Sequence, residues 1–542
     1  MIDFERITQA GGEAIASAEI IAATVVVIEG DQVTYRNGFG TTRFDNGVPV
    51  TPDTLFPYCS ICKTLNAIVI MRLVEEGVLE LDRPVVEYLP GFKFRNEAYG
   101  KRITLRHLLS HTSGLPMSGR GFGLMAEDTL SRSIWEEVPH YRFSAEPGLV
   151  CNYANATVCM AGYIAEAVTG RNYDDLLADY VLNPLGMSSC RWDLSHTSAE
   201  EIAYSHYPTS DGNLGIREKF PSNRAGHPSS FYYGSINDLA NVAIMLLNPG
   251  MLLQQSSIDE MMQPHGNCHM DSATHFINQQ EQTSGLGLMQ GHYRQQRVVR
   301  HGGGIPGYAQ FFQLFPEQNR AVIIFTACFG ENALIEFVKR VQDAVLELPA
   351  SNSPHTPPPK ILPYPEAFDR DSVVGQYLNP ENGQMVTVER ADDGLNMKRF
   401  GRSFALSYTE TGEFIGWYNE HNTMPVYFVQ GKTGRVQHVC VHRTPYQRLT
   451  EPLSNDIDVG LVASYVGRYR DPFNLKEDDI LTVALQDDQL FIYHGDTLRN
   501  PVQAFSATRF LTGIGVAEFE ISAENTVTAV QIGHTTRYFP IK

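Results

Sequence analysis

Ser60-Ile61-Cys62-Lys63, followed without a break by the apolar run 64–76 (TLNAIVIMRLVEE) and closed by Gly77, is the stretch on which the reading of this chain turns. The run is apolar almost all round, the pattern of a buried helix, and the glycine after it supplies a C-terminal stop. Residues three apart share a helix face, so the Ser60 hydroxyl and the Lys63 amine are predicted to lie within one turn of each other. A lysine in the first turn of a buried helix is costly unless it has a task or a partner. Desolvation lowers the proton affinity of an amine, which is how a lysine becomes a base near neutral pH. A lone Ser-x-x-Lys is expected by chance about once in a chain of this length, so its surroundings must carry the argument.

Outward from that helix, two β-rich runs between Ile20 and Phe44 flank Gly30-Asp31, a hairpin signal. Helical patterns dominate from Ser60 to about Leu253, with a capped start at Ser235-Ile236-Asn237-Asp238. Strands return at 310–316 and 321–328 around a turn at Glu317-Gln318-Asn319. An amphipathic helix then carries Leu334, Val338, Val341, Val345 and Leu348 on one stripe. The hairpin and this last helix are expected to pack around one sheet, with the helical block inserted. After Leu348 the run from Pro349 to Pro359 is a proline-rich linker. Beyond it, short alternating runs and turns such as Asp393-Gly394 indicate antiparallel sheets. Val374-Gly375-Gln376-Tyr377 and Val466-Gly467-Arg468-Tyr469 open stretches of similar length, read as two related β-domains. The expected organisation is 1–348 catalytic domain, 349–364 linker, and β-domains over 365–451 and 452–542, split near Pro452.

Composition narrows the function. With 542 residues the chain exceeds one compact core, and its net charge of -19 argues against a nucleic acid or an anionic membrane surface as partner. The eight cysteines lack metal-type or framework spacing and mostly sit in apolar runs, which suggests reduced, packed thiols and a cytoplasmic protein. The start, Met1-Ile2-Asp3-Phe4-Glu5, has no basic leader, and no stretch reaches the roughly 20 apolar residues needed to span a bilayer.

Three elements in order carry the chemistry: Ser60-x-x-Lys63, Tyr153-Ala154-Asn155 and His301-Gly302-Gly303. Their order and surroundings resemble the serine penicillin-recognising superfamily, in the class C β-lactamase-like branch where His-x-Gly stands in place of Lys-Thr-Gly. Further signposts are Thr51 to Phe56, Ile103 to Leu115, Glu146-Pro147-Gly148 and Asn183 to Met187. Within the superfamily the chain is most similar to D-aminopeptidases, through the Pro57-Tyr58-Cys59-Ser60 approach and the paired β-domains. The resemblance implies an α/β (α+β) catalytic domain of β-lactamase/DD-peptidase type, an antiparallel sheet flanked by helices with an all-helical subdomain. Two antiparallel, lipocalin-like β-barrels are expected to follow. Other Tyr-x-Asn matches, at Tyr35 and Tyr377, and a literal Lys432-Thr433-Gly434 sit in the wrong order or context and read as structural.

The expected roles follow from chemistry. Ser60 attacks a carbonyl to give an acyl-enzyme, with Lys63 and the Tyr153 phenol sharing the proton transfers. Asn155 holds the lysine or the substrate amide. The N–H groups of Ser60 and Gly304 form the oxyanion hole, where one donor contributes about 3 kcal/mol. Gly302 and Gly303 let a substrate run alongside the strand. Histidine at 301 is mostly neutral at pH 7, whereas a lysine would be a permanent cation, so carboxylate-bearing β-lactams and peptidoglycan stems should be poorly held. His111, Cys59 and Cys62 read as scaffold. By the resemblance, a loop at 494–500 would limit the substrate, with Asp496 placed to meet an ammonium; the alternative reading of these residues is an ordinary solvated turn.

The function expected is therefore a serine hydrolase without metal or other cofactor. It would act on D-aminoacyl amides or short peptides, with a homodimer among the assemblies allowed. An esterase, acyltransferase or peptide cyclase of the same fold is the alternative; a β-lactamase or DD-carboxypeptidase is disfavoured by His301. A ligand-binding pseudoenzyme is disfavoured by the intact Ser60, Lys63 and Tyr153.

Overall fold

The computed structural model describes residues 1–45, 47–116, 130–209, 213–217, 223–267, 279–350, 360–380, 382–410, 414–417, 423–431, 434–441, 444–450, 453–454, 457–470, 480–494, 501–512, 514–522, 526–533 and 536–541. The strand Ile20–Glu29 is buried almost throughout. That accounts for its unbroken apolar run: a strand covered on both faces has no reason to alternate. It pairs with Gln32–Gly40 on one side and with Arg320–Cys328 on the other. From there the sheet continues through Tyr308–Phe315, Gln296–Ile305, Met289–Tyr293, Gln279–Ser284 and Gly266–Asn267, eight strands and all antiparallel. The two ends of this unit thus meet in one sheet, as the sequence implied.

Each face of the sheet buries a different helical layer. Val25, Val27 and Ile324 pack under Leu334, Phe337, Val338 and Val341 of the helix Glu331–Val345. Helix Phe4–Ala16 joins that layer through Ile7, Ala10, Gly11 and Ala14, with Asp3 as its N-cap; Gly11 and Gly12 lower its helix propensity. Gly11 has a packing reason: a Cβ there would stand 2.4 Å from the ring of Phe39 on the edge strand. On the opposite face Val26, Ile323 and Phe325 share a core with Leu65, Ile68 and Ile70 of Cys62–Glu75 and with Leu239 of Ile236–Leu247. The latter helix is capped as expected, Ser235 accepting from Asp238 N. Gly77 takes φ 71, the left-handed stop after the Ser60 helix.

Beyond residue 360 the described residues are mainly antiparallel β, with short helices at Arg370–Val373 and Val459–Val462 before each opening strand. Among the described residues nine strands run from Ile361–Leu362 to Thr444–Arg448; pairing of Arg402–Thr409 with Phe414–Trp417 closes eight of them into a barrel, and Ile361–Leu362 adds to Arg402–Thr409 outside the ring. Eight more, from Gly467–Arg470 to Thr536–Pro540, form a sheet with Gln489–His494 at one edge and Gln503–Ser506 at the other. Among the described residues, an isolated bridge between Phe491 and Pro501 links the first of these edges to the approach of the second. The repeated openings are equivalent in space: Tyr377 OH donates to Val373 O and Tyr469 OH to Tyr465 O, each at 2.6 Å. Residues 351–359 of the expected linker, and the expected split at Pro452, lie outside the described residues.

Candidate active site

A short strand, Phe56–Pro57, leads into a 3-10 turn, Cys59–Ile61, from which helix Cys62–Glu75 departs. Cys59 has φ 51, a left-handed conformation that costs a non-glycine residue about 1 kcal/mol or more. Ser60 therefore sits on the turn just before the helix, not within it, while the i to i+3 relation survives. Lys63 Nζ donates to Ser60 Oγ at 2.9 Å and to the carbonyl of Ser229 at 3.1 Å, with the lysine wholly buried. The same Nζ stands 4.9 Å from the centre of the Tyr153 ring.

Ser229 has no motif, yet it is the lysine's second anchor. Its hydroxyl donates to Gly226 O at 3.0 Å and accepts from Cys159 Sγ at 3.3 Å. The loop that carries it is tied to Asp174. His227 Nδ1 lies 2.7 Å and Tyr232 OH 2.6 Å from Asp174 Oδ1, and Arg224 Nη2 donates to Oδ2 at 3.2 Å. Burial alone would raise the Asp174 pKa, but the His227 and Tyr232 hydrogen bonds and the Arg224 charge outweigh it and hold the carboxyl below its ordinary value.

Tyr153 ends the segment that leads into helix Asn155–Thr169. Its ring packs on His111 with centroids 4.4 Å apart, and lies 6.3 Å from His301. His111, expected to be scaffold, thus supports the phenol directly: its Nδ1 accepts from Ala154 N at 3.2 Å. That assigns its proton to Nε2, a buried atom without a partner. His301 is the converse. Its Nδ1 is 2.7 Å from Gly302 O, so Nδ1 carries the proton and the buried Nε2 offers an unused lone pair. Burial, reinforced by the Lys63 charge, pushes the His301 pKa down to about 3, and the same two causes with His301 itself hold His111 well below its ordinary value. Both rings are neutral at pH 7. Asn155 Oδ1 is also buried and has no hydrogen-bond partner among the described residues, so it is not engaged by Lys63.

The ladder between Gln296–Ile305 and Met289–Tyr293 stops at the Arg300–Met289 pair, so among the described residues the segment 301–305 pairs as a strand on one side only. The nucleophile turn fills part of the vacated edge. A Cβ on Gly303 would meet Tyr58 O at 2.5 Å and Cys59 Cβ at 2.9 Å, so the close approach this glycine permits is to the turn that carries Ser60. Gly304 is exposed, its nearest neighbour for such an atom being Tyr308 O at 3.8 Å. The oxyanion hole expected from the N–H groups of Gly304 and Ser60 would thus lie where this strand edge adjoins the nucleophile turn.

Cys59 and Cys62 are buried free thiols whose pKa values burial raises, that of Cys62 to about 12. Neither supplies a thiolate. Cys151, two residues before Tyr153, is disulfide-bonded, which corrects the expectation of eight reduced thiols. Spacing along a chain does not show which sulfurs meet in space, and the inference from thiol usage to a cytosolic compartment loses its footing. Cys268, Lys432, Thr433 and Asp496 lie outside the described residues. Tyr35 stacks on Phe4, and Asn379 Nδ2 donates to Pro445 O, so both extra Tyr-x-Asn matches are structural. Among the described residues no group of three or more His, Cys, Asp or Glu is arranged to hold a metal ion, and no helix is long and apolar enough to cross a membrane.

The beta-lactamase family model matches residues 4–346. Protein flp of Staphylococcus aureus strain MW2 is 24% identical over 327 residues, covering 57% of this chain and 60% of that protein, so the chain spans less than two thirds of this relative's length. SurE with D-Leu superposes with a TM-score of 0.61 at 20% identity, over 82% of this chain and 100% of the other. D-amino acid amidase from Ochrobactrum anthropi SV3, with L-phenylalanine, gives 0.53 at 20% identity over 64% and 99%.

Proposed function

Because this chain belongs to the beta-lactamase family, we propose that it is a serine hydrolase of that fold whose substrates are amides or short peptides beginning with a D-residue. The observation that carries the reading is the 2.9 Å contact between a wholly buried Lys63 and Ser60 Oγ, with the Tyr153 ring beside the same ammonium. Ser60 Oγ bonds to the substrate carbonyl carbon while its proton passes to whichever of the pair is unprotonated, the Lys63 amine or the Tyr153 phenolate. The oxyanion is held by the N–H groups of Ser60 and Gly304; the C–N bond then breaks and the departing amine takes the proton. Water, activated by the same pair, cleaves the ester.

Two features favour an amine-bearing substrate over a carboxylate-bearing one. His301 is neutral where a cation would be needed, and the free acceptors His301 Nε2 and Asn155 Oδ1 suit N–H donors. The D-ligand and D-substrate names of the two superposed proteins agree with that class. Incubation with D-Ala-p-nitroanilide and its L-counterpart tests the proposal: release from the D-compound in preference supports it, and release from neither sinks it. An exposed Gly304 leaves the acyl group reachable by acceptors other than water, so product analysis with added amines or alcohols separates hydrolysis from transfer.

A further inference from the structure

We infer that His438, in the β-barrel, is a positioning residue for Tyr153, acting through the segment 138–153; the inference rests on the serine-hydrolase reading above. That segment is gripped from both appended β-units. His438 is buried, and its Nε2 donates to Ser144 O at 2.9 Å. Beside it Cys440, Tyr427 and Val429 of the barrel pack on Ala145, Leu149 and Val150. From the last β-sheet, Gln531 Nε2 donates to His140 O at 3.0 Å, and Glu518 pairs with Arg142 at 2.6 Å.

The path from His438 to the phenol is continuous. Ser144 Oγ accepts from Asn152 Nδ2 at 3.3 Å, and Asn152 Nδ2 also donates to Leu115 O at 2.9 Å. Asn152 N donates to His111 O at 2.8 Å, and Ala154 N donates to His111 Nδ1 at 3.2 Å. Tyr153 is thus held between two residues that are fixed to His111, on whose ring its own ring rests. His438 keeps its other nitrogen, Nδ1, buried without a partner. That is a poor arrangement for packing alone, where a leucine would be cheaper. What the imidazole supplies is one N–H to a main-chain carbonyl of the segment that carries the phenol.

A shift of about 1 Å in a proton-transfer group costs up to about 100-fold in rate. The test is acylation and turnover of a p-nitrophenyl ester by the full chain in native, His438→Leu, His438→Gln and Ser144→Ala forms, with thermal melting of each. The glutamine retains an N–H of similar reach and leucine does not. The expected result is that His438→Leu lowers kcat about tenfold with KM changed less than about twofold, that His438→Gln restores most of the rate, and that Ser144→Ala lowers kcat without altering KM. A folded His438→Leu with native kcat, a change confined to KM, or failure of glutamine to rescue overturns the inference. Should the leucine variant not fold, Ser144→Ala decides: native kcat overturns the inference, reduced kcat with native KM supports it. If the native chain itself is not acylated, the hydrolase reading falls first, and this inference with it.

Discussion

Lys63 Nζ lies 2.9 Å from Ser60 Oγ, and its other hydrogen bond runs to a main-chain carbonyl, that of Ser229. Neither contact is with a carboxylate. The amine is held by a hydroxyl, a main-chain carbonyl and the face of the Tyr153 ring 4.9 Å away, within reach of both groups with which the proposed chemistry needs it to exchange a proton.

Replacing either partner separates chemistry from folding. Lys63→Met and Tyr153→Phe are each expected to lower kcat/KM for a p-nitrophenyl ester by about 10²- to 10⁴-fold. Thermal melting should show both chains folded, since methionine fits a buried aliphatic site and the phenylalanine ring still rests on His111.

Neighbouring glycines should respond differently to a methyl group. Gly303→Ala drives a Cβ against Tyr58 O and Cys59, and is expected to cost about 1–3 kcal/mol of stability by denaturant unfolding. Gly304→Ala makes only an ordinary contact, with Tyr308 O at 3.8 Å, and should unfold close to the native midpoint.

The buried histidines set a pH dependence of stability. His301 has an ordinary pKa of about 6.5 when unfolded, and burial with the Lys63 charge holds it at about 3 when folded. Between those values the unfolded chain binds a proton that the folded one does not, so stability falls with falling pH by about 1.4 kcal/mol per unit and levels off near pH 3. His111 is shifted in the same direction and adds to the slope. Unfolding of native and His301→Gln chains at pH 7, 6, 5 and 4 should show the shallower decline in the variant.

Asp174 holds the loop that supplies the Ser229 carbonyl. Asp174→Ala leaves His227 and Tyr232 without their acceptor, and is expected to destabilise the chain by about 3 kcal/mol. Acylation should slow as well, because Lys63 loses a fixed anchor. Asp174→Asn, which keeps one oxygen acceptor, should fall between.

Much of the fold was legible because the strand Ile20–Glu29 and the helix Cys62–Glu75 are buried all round and read as unbroken apolar runs. The helix Phe4–Ala16 was not read, although Asp3 caps it and Ile7, Ala10, Gly11 and Ala14 share its buried face, because Gly11, placed for the Phe39 ring, and Gly12 work against helix propensity. Ser60, Lys63, Tyr153 and His301 announced themselves as side chains at family spacings, and the structure brings them to one place. Ser229 did not, because it contributes a carbonyl that any residue could supply. Asp174 and His227 lie 53 positions apart, and nothing local links them. His438 was hidden for the same reason: its partner is the main chain of a segment 294 positions away.

The central claim is that residue 60 is the nucleophile. Intact mass after incubation with a fluorophosphonate tests it directly. The native chain is predicted to gain one adduct, mapped to the peptide containing Ser60, and the Ser60→Ala chain none; equal labelling of both chains, or no labelling of the native one, contradicts it.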